Sequence, residues 1–233
     1  MTMQQTNISC LGFIMDGNRR WATAHGLPTY EGHRKGGEVL VESIRWVRDQ
    51  GIPHAVYYAF STENWKRNEQ EVAYLMDLFR EWLEKLEERL AADDEEPVKI
   101  RIIGRRIDFA EDLQEQMKKL EQETEKKAKA RTTIWLALSY GGRAEITEAV
   151  NEAIQQGKPV TEERFEELLW TAHMPDPDMI VRTSGEQRLS NFVTWKSVYS
   201  ELYFIDKHWP ALTKADFDDI LVEYEKRERR RGA

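Results

Sequence analysis

An α/β fold, a mostly parallel six-stranded sheet covered by helices, is predicted by three observations. Short apolar or β-branched runs of strand length recur along the 233 residues, helical patterns fall between them, and glycine or proline punctuates many junctions. Strands that alternate with helices pair in parallel, since each crossover returns the chain to the same end of the sheet. The length suffices for a sizeable core, and no repeat or low-complexity linker divides the chain, so 1–233 reads as one domain.

The first strand spans 11–15 and breaks at Asp16-Gly17-Asn18. A helix over 33–50 follows and stops at Gly51, with Pro53 beyond it. The run 54–60 is the second strand. The stretch 69–91 carries Val72, Leu75, Met76, Phe79, Leu83, Leu86 and Leu90 at helical spacing, which makes a core face. Asp93-Asp94-Glu95-Glu96-Pro97 reads as a solvated turn into the third strand, 98–103. A helix over 108–130, a strand over 132–138 and a helix over 143–156 follow, the last stopped by Gly157 and Pro159. A helix over 161–173 ends before Pro175 and Pro177. Strands over 178–182 and 200–204 and a helix over 213–230 complete the pattern.

Composition narrows the function. With 42 acidic against 34 basic residues the formal charge is −8, which disfavours a nucleic-acid partner. Any anion site must therefore be local, built by placing arginines. The single cysteine, Cys10, excludes an intrachain disulfide and, with no N-terminal apolar segment, fits the reducing cytoplasm. No uncharged stretch approaches the roughly 18 apolar residues of a membrane span. No Gly-x-Gly-x-x-Gly fingerprint, P-loop or zinc-ligand spacing occurs.

Ligands of open α/β sheets collect beyond the carboxyl ends of strands. Asp16, Ser61 to Arg67, Ser139 to Arg143 and Arg182 to Asn191 each follow a predicted strand directly and should share one rim. Two of these segments suggest the chemistry. Gly12 to Trp21 sets a carboxylate, Asp16, and the donors of Gly17, Asn18, Arg19 and Arg20 where a helix begins, a place that suits an anion. Arg182 to Phe192 joins two arginines, Arg182 and Arg188, through serine, glycine and asparagine, a composition that can wrap an oxyanion. An isolated Asp before a helix is ordinarily a cap, but one carboxylate facing many phosphate-type donors fits Mg²⁺ on a diphosphate.

These segments, with Glu31-Gly32-His33-Arg34-Lys35-Gly36-Gly37, Tyr58-Ala59-Phe60-Ser61-Thr62-Glu63-Asn64-Trp65-Lys66-Arg67, Ser139-Tyr140-Gly141-Gly142-Arg143 and Glu201-Leu202-Tyr203-Phe204, resemble the signature of the cis-prenyltransferases nearly end to end. The resemblance implies condensation of isopentenyl diphosphate with an allylic prenyl diphosphate to give a Z-polyprenyl diphosphate. It implies Asp16 as the carboxylate holding Mg²⁺ on the allylic diphosphate, which Gly17, Asn18, Arg19 and Arg20 would line. Trp21 is a contact or a packing residue, and His33 a diphosphate ligand or an idle residue at a helix start.

Ser61, Thr62, Glu63, Asn64, Trp65 and Arg67 lie where a lid would sit. The resemblance implies that Arg67 clamps the allylic diphosphate and that Asn64 assists proton removal, although an amide is a poor base and the released diphosphate is the alternative. Arg182, Arg188, Leu189 and Ser190 resemble the site for isopentenyl diphosphate, and Glu201 the second Mg²⁺-associated carboxylate. An apolar tunnel for the growing chain is implied, walled by 69–91, Ala59 and Ile134 to Leu138. A homodimer is implied too, in which the tail Arg229-Arg230-Arg231-Gly232 either caps its helix or reaches the neighbouring subunit. Product release would bring peripheral membrane contact. Thr29 stands where the family often has an arginine and Asn68 where proline is common, so a short-chain or altered-chemistry transferase stays open. So does a non-catalytic subunit, although that should have lost Asp16 or the Arg182, Arg188 and Ser190 set.

Overall fold

The computed structural model describes residues 7–92 and 97–227. Six strands form one all-parallel sheet: β1 (Cys10–Ile14), β2 (His54–Ser61), β3 (Val98–Ile103), β4 (Thr132–Tyr140), β5 (Met179–Arg182) and β6 (Glu201–Phe204). Their order is β3-β4-β2-β1-β5-β6. From β1 the chain steps to β2, passes to β3 at the edge, returns to place β4 between them, then crosses to the other side of β1 for β5 and β6. That reversal opens a crevice beyond the carboxyl end of β1, where neighbouring connections leave in opposite directions.

β1 is buried along its whole length and alternates between two cores. Leu11 and Phe13 point into the larger one, beneath helices α2 (Thr29–Asp49), α3 (Glu69–Ala92), α4 (Glu111–Glu125) and α7 (Lys214–Glu225). Cys10 and Ile14 point into a smaller one with Trp135, Tyr140 and Phe192. A strand covered on both faces carries few polar residues, which is why β1 reads as an uninterrupted apolar run.

The helices differ from expectation in instructive places. A short α1 (Asn18–Ala24) precedes α2, and α2 starts at Thr29 rather than 33. Gly32 lets the two helices touch: a Cβ there would stand 2.0 Å from the Asn18 carbonyl oxygen. The 108–130 prediction shrinks to α4, preceded by a 3₁₀ turn at Arg106–Asp108. α5 (Gly142–Gln156) matches its prediction closely.

Of 161–173 only α6 (Glu162–Glu166) is α-helical. Beyond it, N–H groups bond three residues back, as Leu169 does to Glu166, and Thr171 N donates to the buried Glu145 carboxylate at 2.9 Å. A tertiary acceptor has replaced the helical one. α7 starts at a capping box, Thr213 with Asp216, and ends at Glu225 with Lys226 as its C-cap, short of the predicted 213–230. Arg229 to Gly232 and Asp93 to Glu96 lie outside the described residues.

Candidate active site

Asp16 occupies the turn between β1 and α1, and Gly17 makes the turn possible with φ 99°. Thr183, just past β5, binds this turn from the side: its Oγ accepts the Asp16 N–H at 2.9 Å and donates to the Asp16 carbonyl at 2.7 Å. The Trp209 N–H reaches the same carbonyl at 3.0 Å. The side chain is equally constrained. Asp16 Oδ2 accepts from Arg182 Nη2 at 2.9 Å, Oδ1 accepts the Gly17 N–H at 2.7 Å, and Arg20 Nη2 lies 3.3 Å away. Burial alone pushes the carboxyl up, but Arg182, Gly17 and Arg20 outweigh it and hold Asp16 below its ordinary value. Asp16 is an anion at neutral pH.

Arg182 ends β5 and is 4% exposed. Its Nη1 donates to the Arg188 carbonyl at 2.5 Å and to Ser190 Oγ at 2.6 Å, while its buried Nε has no partner among the described residues. Arg182 thus fastens the Asp16 turn to the loop after β5. In that loop Ser184, Ser190, Asn191 and Val193 all take positive φ, so it is compact and strained. Arg188 projects outward and pairs with Glu186, which also meets Arg20 at 3.3 Å.

A cleft of about 540 Å³ opens over the rim and is lined by Asp16, Asn18, His33, Ser61, Glu63, Asn64, Arg67, Arg182 and Ser190. Farther in, Leu40, Phe79 and Trp82 line it, and beyond lies an apolar pocket of only about 30 Å³ walled by Ala59, Leu83, Leu86, Leu136 and Leu138. A second opening of about 440 Å³, lined by Gly17, Arg19, Arg20, Glu186 and Arg188, shares Asp16, Asn18, His33 and Arg67 with the first. The rim is cationic and the floor apolar.

Burial, with Arg67 and Arg19 nearby, lowers the His33 pKa to about 4, so the ring is neutral at pH 7. Its Nε2 has no hydrogen-bond partner among the described residues and lies 3.8 Å from Glu71. Arg67 pairs with Glu71 at 2.9 Å. Asn64 and Ser61 form a capping box, with the Ser61 N–H on Asn64 Oδ1 at 3.0 Å.

Some predicted residues stand elsewhere. Trp21 stacks on His25 at 4.3 Å, Trp65 and Leu189 pack toward the two cores, and Thr62 lies against Gly141. Glu201 opens β6 beside Met179, at the amino end of the sheet, and pairs with Arg227 at 2.9 Å. Asp16 lies past the carboxyl end of β1, so within one chain the two carboxylates are not brought together. Among the described residues no cluster of three or more His, Cys, Asp or Glu could hold a metal by itself. A hard cation at Asp16 would complete its shell with phosphate oxygens, as Mg²⁺ does.

Sequence reasoning placed Thr183 and Asn191 in the rim loop without giving either a role of its own, and missed Glu71. Asn191 joins three rim segments: it accepts from Arg143 N at 2.8 Å, donates to Glu63 at 2.8 Å, and its carbonyl accepts from Gly142 N at 2.7 Å. Only Glu71 left a local signal, four residues after Arg67 on a predicted helix.

The parallel α/β sheet carries an arginine-bearing rim over an apolar floor. Comparison with known proteins specifies the class. Residues 14–232 match the family model described as undecaprenyl diphosphate synthase. The chain is 47% identical over 229 residues to an isoprenyl transferase of Thermotoga maritima, covering 95% of each. It is 42% identical over 231 residues to the geranylgeranyl-diphosphate-specific tritrans,polycis-undecaprenyl-diphosphate synthase of Picrophilus torridus, covering 95% of this chain and 89% of that one. The structure of lavandulyl diphosphate synthase from Lavandula x intermedia, in complex with dimethylallyl diphosphate, superposes with a TM-score of 0.90 at 31% identity, over 95% of this chain and 97% of that one. The chain belongs to the undecaprenyl diphosphate synthase family of isoprenyl transferases.

Proposed function

We propose that the protein condenses isopentenyl diphosphate with an allylic prenyl diphosphate, in a Mg²⁺-dependent reaction, to give a Z-polyprenyl diphosphate. The observation that carries this reading is the continuity of the Asp16 rim with the apolar pocket, which suits a ligand with a diphosphate head and a hydrocarbon tail. Bound at Asp16, Mg²⁺ would supply charge stabilisation to a diphosphate leaving group. Arg19, Arg20, Arg67 and the Gly17 turn hold the allylic head, and the Arg188 loop holds isopentenyl diphosphate. The allylic C–O bond breaks, the isopentenyl double bond attacks the allylic carbon, and one proton leaves. Asn64 Oδ1 already accepts the Ser61 N–H, so the released diphosphate is the better proton acceptor. The apolar floor keeps water from the cationic carbon.

The pocket's free volume of about 30 Å³ holds about one water, so a growing chain must part Trp82, Leu86 and Leu138 as it enters. Residues 1–233 serve as one catalytic domain. The working form is a cytoplasmic homodimer that touches membrane only to release product; no described helix is long and apolar enough to cross one. Glu201 acts on a metal only if the partner subunit brings it to a rim.

The test is incubation with isopentenyl diphosphate, Mg²⁺ and C5 to C20 allylic primers, followed by sizing and stereochemical analysis of the products. Polyprenyl products with Z bonds support the reading. A branched or single-condensation product would assign altered chemistry, which the likeness to a lavandulyl diphosphate synthase keeps in view. No product with any primer would leave a non-catalytic subunit.

A further inference from the structure

The segment that carries Asn64 and Arg67 is anchored from outside the cleft. Trp65, on the 3₁₀ turn Thr62–Lys66, packs edge-on against Phe60 and Phe109 with ring centroids 4.9 and 5.3 Å apart. Its indole Nε1 donates to Ser139 Oγ at 2.8 Å, and Ser139 Oγ donates to Asp108 Oδ2 at 2.5 Å. Ser139 is fully buried near the end of β4 with φ 46°, a backbone conformation that turns its hydroxyl out of the strand's regular alternation.

The polarity of this chain is determined by chemistry. An indole N–H only donates, so it takes a lone pair of Ser139 Oγ and the single Ser139 proton is left for Asp108 Oδ2. The backbone holds the acceptor in place: Arg105 N donates to the Ser139 carbonyl at 3.2 Å, and a Cβ on Gly104 would stand 2.1 Å from the Leu138 carbonyl oxygen. The turn bearing Asp108 is therefore pressed against β4.

We propose that Asp108 is a positioning residue for the rim, acting through Ser139 to orient Trp65 and thereby the Ser61 to Arg67 segment over the diphosphate. Asp108 touches no cleft surface. Its effect on turnover rests on the proposed function, whereas its effect on Trp65 does not.

The test uses full-length protein with ¹⁵N-labelled tryptophan indoles, the Trp65 resonance being assigned by its loss in Trp65→Phe. Asp108→Ala and Ser139→Gly should each shift that resonance, and the double variant should shift it no further than Ser139→Gly alone. Glycine suits the Ser139 backbone, which guards against a folding artefact. Asp108→Asn, whose carbonyl can still accept, should keep the resonance near its wild-type position. In condensation assays Asp108→Ala should lower kcat/KM about tenfold, the equivalent of one charge-assisted hydrogen bond, with Asp108→Asn retaining most of the activity. An unmoved Trp65 resonance in Asp108→Ala, or Asp108→Asn as impaired as Asp108→Ala, overturns the proposal. If the wild type makes no prenyl product, the functional reading fails while the indole shifts still decide the tether.

Discussion

Arg182 Nη2 stands 2.9 Å from Asp16 Oδ2, joining the end of β5 to the turn after β1 across the point where the strand order reverses. The pair gives each residue two roles, since Arg182 is buried, Asp16 is partly buried, and both line the cleft. Replacing Asp16 with alanine is expected to reduce turnover by several orders of magnitude, because metal-assisted leaving-group stabilisation is worth several kcal/mol in the transition state. The same change leaves the buried Arg182 guanidinium short of an acceptor and should cost about 1–3 kcal/mol of stability. Single-turnover kinetics and thermal unfolding on one preparation check both. Near-normal turnover would remove Asp16 from the mechanism.

Arg188 and Arg182 should separate in a way the sequence alone did not suggest. Arg188 is exposed and pairs with Glu186, so Arg188→Ala should raise the KM for isopentenyl diphosphate roughly ten- to a hundredfold and leave the melting temperature unchanged. Arg182→Ala removes the bonds to Asp16, Ser190 and the Arg188 carbonyl, so it should lose both affinity and stability. If primer affinity falls instead in Arg188→Ala, the two diphosphate sites have been assigned in reverse.

His33 gives a pH signature. Its folded-state pKa, about 4, lies below the usual histidine value, so the unfolded chain takes up a proton that the folded chain refuses. The contribution to stability is complete above roughly pH 6.5 and is lost as the pH falls toward about 4. In denaturant titrations from pH 7 down to 4, wild type should lose stability relative to His33→Gln. Parallel curves across that window would show that His33 does not titrate as its burial demands.

Thr29 opens α2 on a shallow depression lined by Arg19 and Arg20, while Arg34 and Lys35 pair with Glu81 and Glu38. Thr29→Arg should tighten binding of the allylic primer about tenfold, since a guanidinium offers a charged bidentate contact in place of one hydroxyl bond. The gain should shrink at higher ionic strength. Unchanged affinity would mean that Arg19 already supplies the missing cation.

Ala59 borders both the cleft and the narrow apolar pocket. Enlarging it to leucine should shorten the longest product, because the wall can part less far before overpacking costs about 1–3 kcal/mol. Product sizing at saturating primer reads this directly. An unaltered length distribution would send the chain along another path.

The alternation of strands and helices, and the placement of Asp16, Ser61 to Arg67, Ser139 to Arg143 and Arg182 to Asn191 at strand ends, were legible in the sequence. Strand and helix periodicity are local properties, and in a parallel sheet every strand delivers its following loop to the same edge. The tertiary structure decided what those residues do to one another. It buried Arg182 and used up most of its donors, put Glu201 at the opposite end of the sheet, and replaced the end of a predicted helix with a bond from Thr171 to Glu145. It also joined Trp65, Ser139 and Asp108 from three separate segments. None of these follows from spacing, because each depends on which groups packing brings together, and burial makes a polar group left without a partner costly.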